Sequence, residues 1–147
     1  MRNERGITLI ALVVTIVVLL ILAGVTITYA LGNNGLFTNA QKAELNSELG
    51  NLRDYASIAK FDVLAKYSED NKAFLNAEGT EDSAAILTFV KGNFPSDYTI
   101  TQGSTPLSAV SGTLTGTIEV TLKTTNHPDG HTIAVIDFSD IKNITTK

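Results

Sequence analysis

Hydrophobic residues run almost unbroken near the start of the chain and then thin out into two different periods. From Gly6 to Gln41 no side chain is charged, and Ile7–Leu31 is nearly all Leu, Ile, Val, Ala and Thr. A helix of about 25 such residues rises about 37 Å, enough for a hydrocarbon core of about 30 Å. Its polar groups are chiefly the hydroxyls of Thr8, Thr15, Thr26 and Thr28. Hydroxyls of this kind bond back to carbonyls one turn earlier and so sit cheaply in lipid. The pattern predicts a transmembrane helix over 7–31. Gly32-Asn33-Asn34-Gly35 favours turn or left-handed conformations, which places a hinge at 32–37.

Beyond the hinge the apolar positions take a helical period. Thr38 and Gln41 have capping-box spacing. Leu45, Leu49, Leu52, Ala56, Ala59 and Val63 then alternate steps of four and three, a stripe along one helix face that Ile58, Phe61 and Leu64 would widen. Such a stripe suits either a coiled-coil seam or a docking face for a sheet. Ser68-Glu69-Asp70-Asn71 ends the run. A shorter helix is predicted over 81–91, capped by Thr80, with Ala85, Ile86, Phe89 and Val90 on one face and Gly92 just beyond. Pro95 prevents its continuation. The period then changes to two. Tyr98–Thr101 reads as a weak strand, Thr117–Lys123 alternates cleanly, and His131–Phe138 is the strongest strand. Asn126-His127-Pro128-Asp129-Gly130 has hairpin chemistry, and Gln102–Gly116 reads as a loop or edge strand. Because β-strands follow the striped helix, sheet packing is the preferred use of that stripe. The fold class is α+β, a long N-terminal helix on a small antiparallel sheet of three or four strands, with residues 38–147 as the domain outside the membrane.

Charge orients this arrangement. Arg2 and Arg5, against Glu4, precede the apolar run, so residues 1–6 form a basic leader that stays cytoplasmic while the rest is translocated. An ordinary secretory signal has a shorter apolar region before a small-residue cut, which here would fall at Ala23-Gly24 or Ala30-Leu31-Gly32. A plain uncleaved signal anchor is the other generic reading.

Arg5-Gly6-Ile7-Thr8-Leu9-Ile10-Ala11-Leu12 resembles the leader of type IV pilins and type II secretion pseudopilins, in which a basic leader ending in Gly precedes a long apolar helix. The resemblance implies cleavage between Gly6 and Ile7 by a prepilin peptidase, methylation of the new amine on Ile7, and retention of the helix on the mature chain. It also implies other pilin-like subunits as partners through that helix, and a pilin architecture for the remainder. The family pattern usually has a Glu where this chain has Ala11. That carboxylate is thought to neutralise a neighbour's amine in the filament. Its absence points to a minor subunit or to a filament with differently arranged N-termini.

Composition narrows the remaining chemistry. The 147-residue chain carries a net charge of −4 and no Cys. Disulfides, thiolate metal sites and Cys nucleophiles are thereby excluded. The acidic balance gives no strong signal for nucleic acid, whose binders cluster cations. His127, Asp129 and His131 invite a metal reading, but their spacing suits a helix and Pro128-Asp129-Gly130 is a turn. Glu69, Asp70, Glu78, Glu81, Asp82 and Asp97 offer oxygen ligands for calcium without the spacing of an EF-hand, and read as a solvated face. No other cofactor is indicated. Asn143-Ile144-Thr145 is formally a glycosylation sequon. No nucleophile elbow, Ser-His-Asp order or phosphate-binding Gly loop is present, so an enzyme is not expected. Two functions remain: a subunit of a pilus, secretion or DNA-uptake filament, or a membrane-anchored binding domain that does not polymerise.

Overall fold

The computed structural model describes residues 4–32, 35–110, 112–122 and 132–147, with the side chains of all but 4–7 and 132. Residues 1–44 and 45–147 form two compact units. In the first, helix α1 spans Glu4–Leu31 and helix α2, Leu36–Glu69, begins. The chain between them is tied locally: the Gly35 amide donates to the Gly32 carbonyl at 2.7 Å, and Thr38 Oγ1 donates to the same carbonyl at 3.2 Å. The Asn39 amide already bonds to the Gly35 carbonyl at 3.1 Å. Helical bonding therefore starts at Gly35, and Thr38 is not the cap that its spacing with Gln41 suggests. Its hydroxyl serves a carbonyl left over at the end of α1, one of the four acceptors that every helix terminus leaves unpaired.

The second unit is built on the remainder of α2. Leu52, Ala56, Ala59 and Val63 are fully buried, with Leu45, Leu49 and Leu64 half-buried against them. Ile58 and Phe61 do not widen this stripe: they are 51% and 74% exposed. At about 100° per residue, Phe61 lies half a turn from Leu52 and Ile58 a third of a turn away, so both fall on the outer face.

Helix α3 spans Ser83–Lys91 and buries Ile86 and Val90. Its cap is Asp82, whose carboxylate accepts the amides of Ala84 at 2.9 Å and Ala85 at 3.2 Å. Thr80 is instead consumed in the preceding turn, where the Asn76 side chain bonds both its amide and its hydroxyl. Asp holds its acceptor closer to the first free amides than a residue two positions earlier can.

Among the described residues six strands follow: β1 Thr99–Gln102, β2 Ser108–Val110, β3 Thr113–Thr115, β4 Thr117–Leu122, β5 Thr132–Asp137 and β6 Thr145–Thr146. Strands β1-β4-β5-β6 form one antiparallel sheet. Its register sets Ile100 against Val120, Ile118 against Ile136 and Val120 against Ala134, so the period-two residues share the buried face. The segment read as a loop or edge strand makes a separate two-stranded sheet, β2-β3, which buries Ala109 and Leu114 beside Leu107. One core cluster joins the α2 stripe, α3, both sheets, Phe74, Phe94 and Phe138. The fold is thus α+β, an apolar N-terminal helix followed by a small antiparallel sheet.

Gly116 is the corner between the two sheets. Its φ is +104°, and a Cβ there would lie 2.8 Å from Leu107 Cα and closer still to the Pro106 carbonyl oxygen. Only glycine accepts both conditions. Around it, the Thr117 amide donates to the Thr105 carbonyl at 2.9 Å and the Phe138 amide to the Gly116 carbonyl at 3.0 Å.

Candidate functional site

The chemistry suggested by the sequence concentrates at the N-terminus. Gly6 and Ile7 lie in the first turns of α1; the Ile7 side chain lies outside the described set. Every residue from Thr8 to Tyr29 is exposed, so among the described residues this apolar stretch of α1 is uncovered. Three of its threonine hydroxyls are nevertheless paired. Thr15 donates to the Leu12 carbonyl at 2.8 Å, Thr26 to Leu22 at 2.6 Å and Thr28 to Gly24 at 2.8 Å. From Gly6 onward α1 carries no charge, and an exposed, uncharged helix with these hydroxyls paired suits an apolar surround. By length and composition, α1 is able to cross a membrane. Ala11 is exposed with the rest, and no acid lies between Ile7 and Gln41.

Residues 1–27 match the family model described as the prokaryotic N-terminal methylation motif. The N-terminus is a type IV prepilin-like signal. No curated protein and no solved structure matches the chain. The prepilin-like signal thus covers the leader and most of α1, and supports a type IV pilin-like chain.

Elsewhere the candidate ligands are dispersed. Glu69 pairs with Lys66 at 3.2 Å, Asp70 accepts the Lys72 amide at 2.9 Å, and Asp82 caps α3. Glu81 accepts the Ser108 hydroxyl at 2.6 Å and the Ala109 amide at 2.9 Å, tying β2 to the approach of α3. Glu78 and Asp97 are exposed. Among the described residues, no group of three His, Cys, Asp or Glu side chains is placed to hold a metal ion. His127, Asp129 and His131 lie outside the described residues. Thr145 of the sequon pairs with Val135 as part of β6.

Two polar anchors escape the sequence pattern because their partners are far apart in the chain. Tyr98 Oη donates to Glu48 Oε2 at 2.6 Å, within an aromatic group in which Tyr55 lies 5.8 Å from Phe94 and 6.1 Å from Tyr98. Burial, followed by the hydrogen bond and charge of Glu48, pushes the Tyr98 phenol well above its ordinary pKa. Lys60 Nζ donates to the Phe138 carbonyl at 2.7 Å, fastening α2 to the end of β5.

Proposed function

We propose that this chain is a structural subunit of a type IV pilus-like, secretion or DNA-uptake filament, cut between Gly6 and Ile7 by a prepilin peptidase. The observation that carries this reading is the N-terminal methylation motif over residues 1–27, set on a helix whose apolar surface is uncovered. Glycine at position 6 weakens the first turn of α1 by about 1 kcal/mol relative to Ala, which helps the segment open into a peptidase site. Cleavage on the cytoplasmic side removes Met1–Gly6 and leaves α1 on the mature chain as a single-pass anchor, with the following domain outside.

Assembly follows from the same surface. Once drawn from lipid, α1 gains about 25 cal/mol for each Å² of apolar surface it buries against neighbouring helices. The domain beyond the hinge has its own core and is carried on the outside of such a bundle. With Ala11 in place of an acid, the chain brings no carboxylate to neutralise a neighbour's amine in a low-dielectric core. A minor subunit, placed where no neighbour depends on that carboxylate, fits this best. The role is structural, without catalysis or a required cofactor.

Filament formation separates this reading from a tethered binding domain. Sheared surface filaments probed by immunogold with an antibody to the domain should carry the chain at sparse or terminal positions. Labelling confined to the membrane, with none on filaments, contradicts the proposal.

A further inference from the structure

Residues 45–147 hold eight Lys and Arg against thirteen Asp and Glu, yet three of the eight cations converge on one open pocket of about 450 Å³. Arg53 and Lys60 come from α2, and Lys142 from the segment after β5. Two consecutive turns shape that segment: the Asp140 amide bonds the Asp137 carbonyl at 3.0 Å, and the Asn143 amide bonds the Asp140 carbonyl at 3.2 Å. Lys60, through its bond to the Phe138 carbonyl, fastens the segment to the helix. Among the described residues, neither Arg53, Lys60 nor Lys142 forms a salt bridge. Asp140 also lines the pocket, so the local balance is three cations to one carboxylate. Half-buried Ile141 adds an apolar wall.

We propose that this pocket binds a phosphate group, free or esterified. The surplus of two positive charges matches a phosphate monoester, which carries about −1.5 to −2 at pH 7. A guanidinium contributes a planar fork of donors and each ammonium a point charge, the combination that recognises phosphate oxygens. The pocket is wider than the ion alone, and Ile141 offers a surface to the carbon skeleton of an ester. A carboxylate ligand, with a single charge, would leave one cation uncompensated.

The test is isothermal titration calorimetry on the full chain in neutral detergent, at fixed ionic strength, with inorganic phosphate, glycerol 3-phosphate and acetate as probes. Saturable binding of phosphate or its ester, with acetate weaker, is expected. Tighter binding of glycerol 3-phosphate identifies an esterified source, and preference for inorganic phosphate a free ion. Arg53→Gln and Lys142→Gln should each weaken binding by about tenfold, the loss of one charge-assisted contact, whereas Lys91→Gln should not. Arg53 and Lys142 are exposed, so their variants should unfold at the wild-type temperature, a control run alongside. Affinity for glycerol 3-phosphate should also fall as pH drops below about 6, where a phosphate monoester loses its second charge. The proposal is overturned by absence of saturable binding to either phosphate probe, by acetate binding as tightly, or by Lys91→Gln weakening it as much as the pocket variants.

Discussion

Replacing Gly116 by Ala tests the corner on which the two sheets depend. Two effects act together. A non-glycine residue at φ of +104° bears conformational strain of about 1–2 kcal/mol. The new methyl would also sit 2.8 Å from Leu107 Cα, against about 3.5–4.0 Å for an ordinary carbon contact, and Leu107 is a core residue that is 1% exposed. Relieving that overlap means displacing packed backbone, which costs about 1–3 kcal/mol more. The total of about 2–5 kcal/mol is a large share of a stability of about 5–15 kcal/mol. At roughly 4–8 °C per kcal/mol for a domain near this size, Tm should fall by at least about 8 °C. Gly79→Ala separates the two effects, because Gly79 has φ of +77° but no atom within 4 Å of a built Cβ. It should lose only about 1 kcal/mol. Thermal unfolding of both variants in neutral detergent, followed by near-ultraviolet circular dichroism of Tyr and Phe, reads the difference. Equal Tm values for the two variants would refute the close approach of residues 106–107 to the corner.

Three further substitutions probe the domain. The Tyr98 phenol, raised from its ordinary value of 10.0, keeps its proton in the folded state where the unfolded chain releases it. Stability from this group is therefore complete below pH 10 and declines as pH rises above it. Urea titrations from pH 9 to 11 should show a steeper loss in wild type than in Tyr98→Phe, and identical slopes would contradict that assignment. Asp82→Ala should reduce stability by about 1 kcal/mol through loss of the α3 cap, as seen in the urea midpoint. Thr80→Ala should change it less, and the reverse order would restore Thr80 as the cap.

Strong periodicity made much of the fold legible. The uncharged run, the four-three spacing of Leu45 to Val63 and the alternation at Ile118, Val120 and Leu122 each match an element that the structure contains. What escaped depends on geometry rather than pattern. Phe61 is hydrophobic yet points away from the core, because a residue's face is set by its angle around the helix and not by its proximity to the stripe. Thr38 and Asp82 show that several polar residues near a helix start compete, and the local hydrogen bonds decide which one caps. The β2-β3 hairpin lacks strong alternation and is held by long-range links such as Glu81 to Ala109. Among functional features, the N-terminal signal was readable because it is contiguous. The cation pocket was not, since Arg53 and Lys142 meet only after the chain has folded.

The proposed processing is tested most directly by the intact mass of the protein recovered from a host that expresses a prepilin peptidase. The mature chain should lack Met1–Gly6, begin at Ile7 and carry one added methyl group, and Gly6→Leu should abolish that species. A mature chain beginning near Gly24 or Gly32 would instead mark an ordinary signal peptide that discards most of α1. An uncut chain in the presence of active peptidase would equally contradict the account.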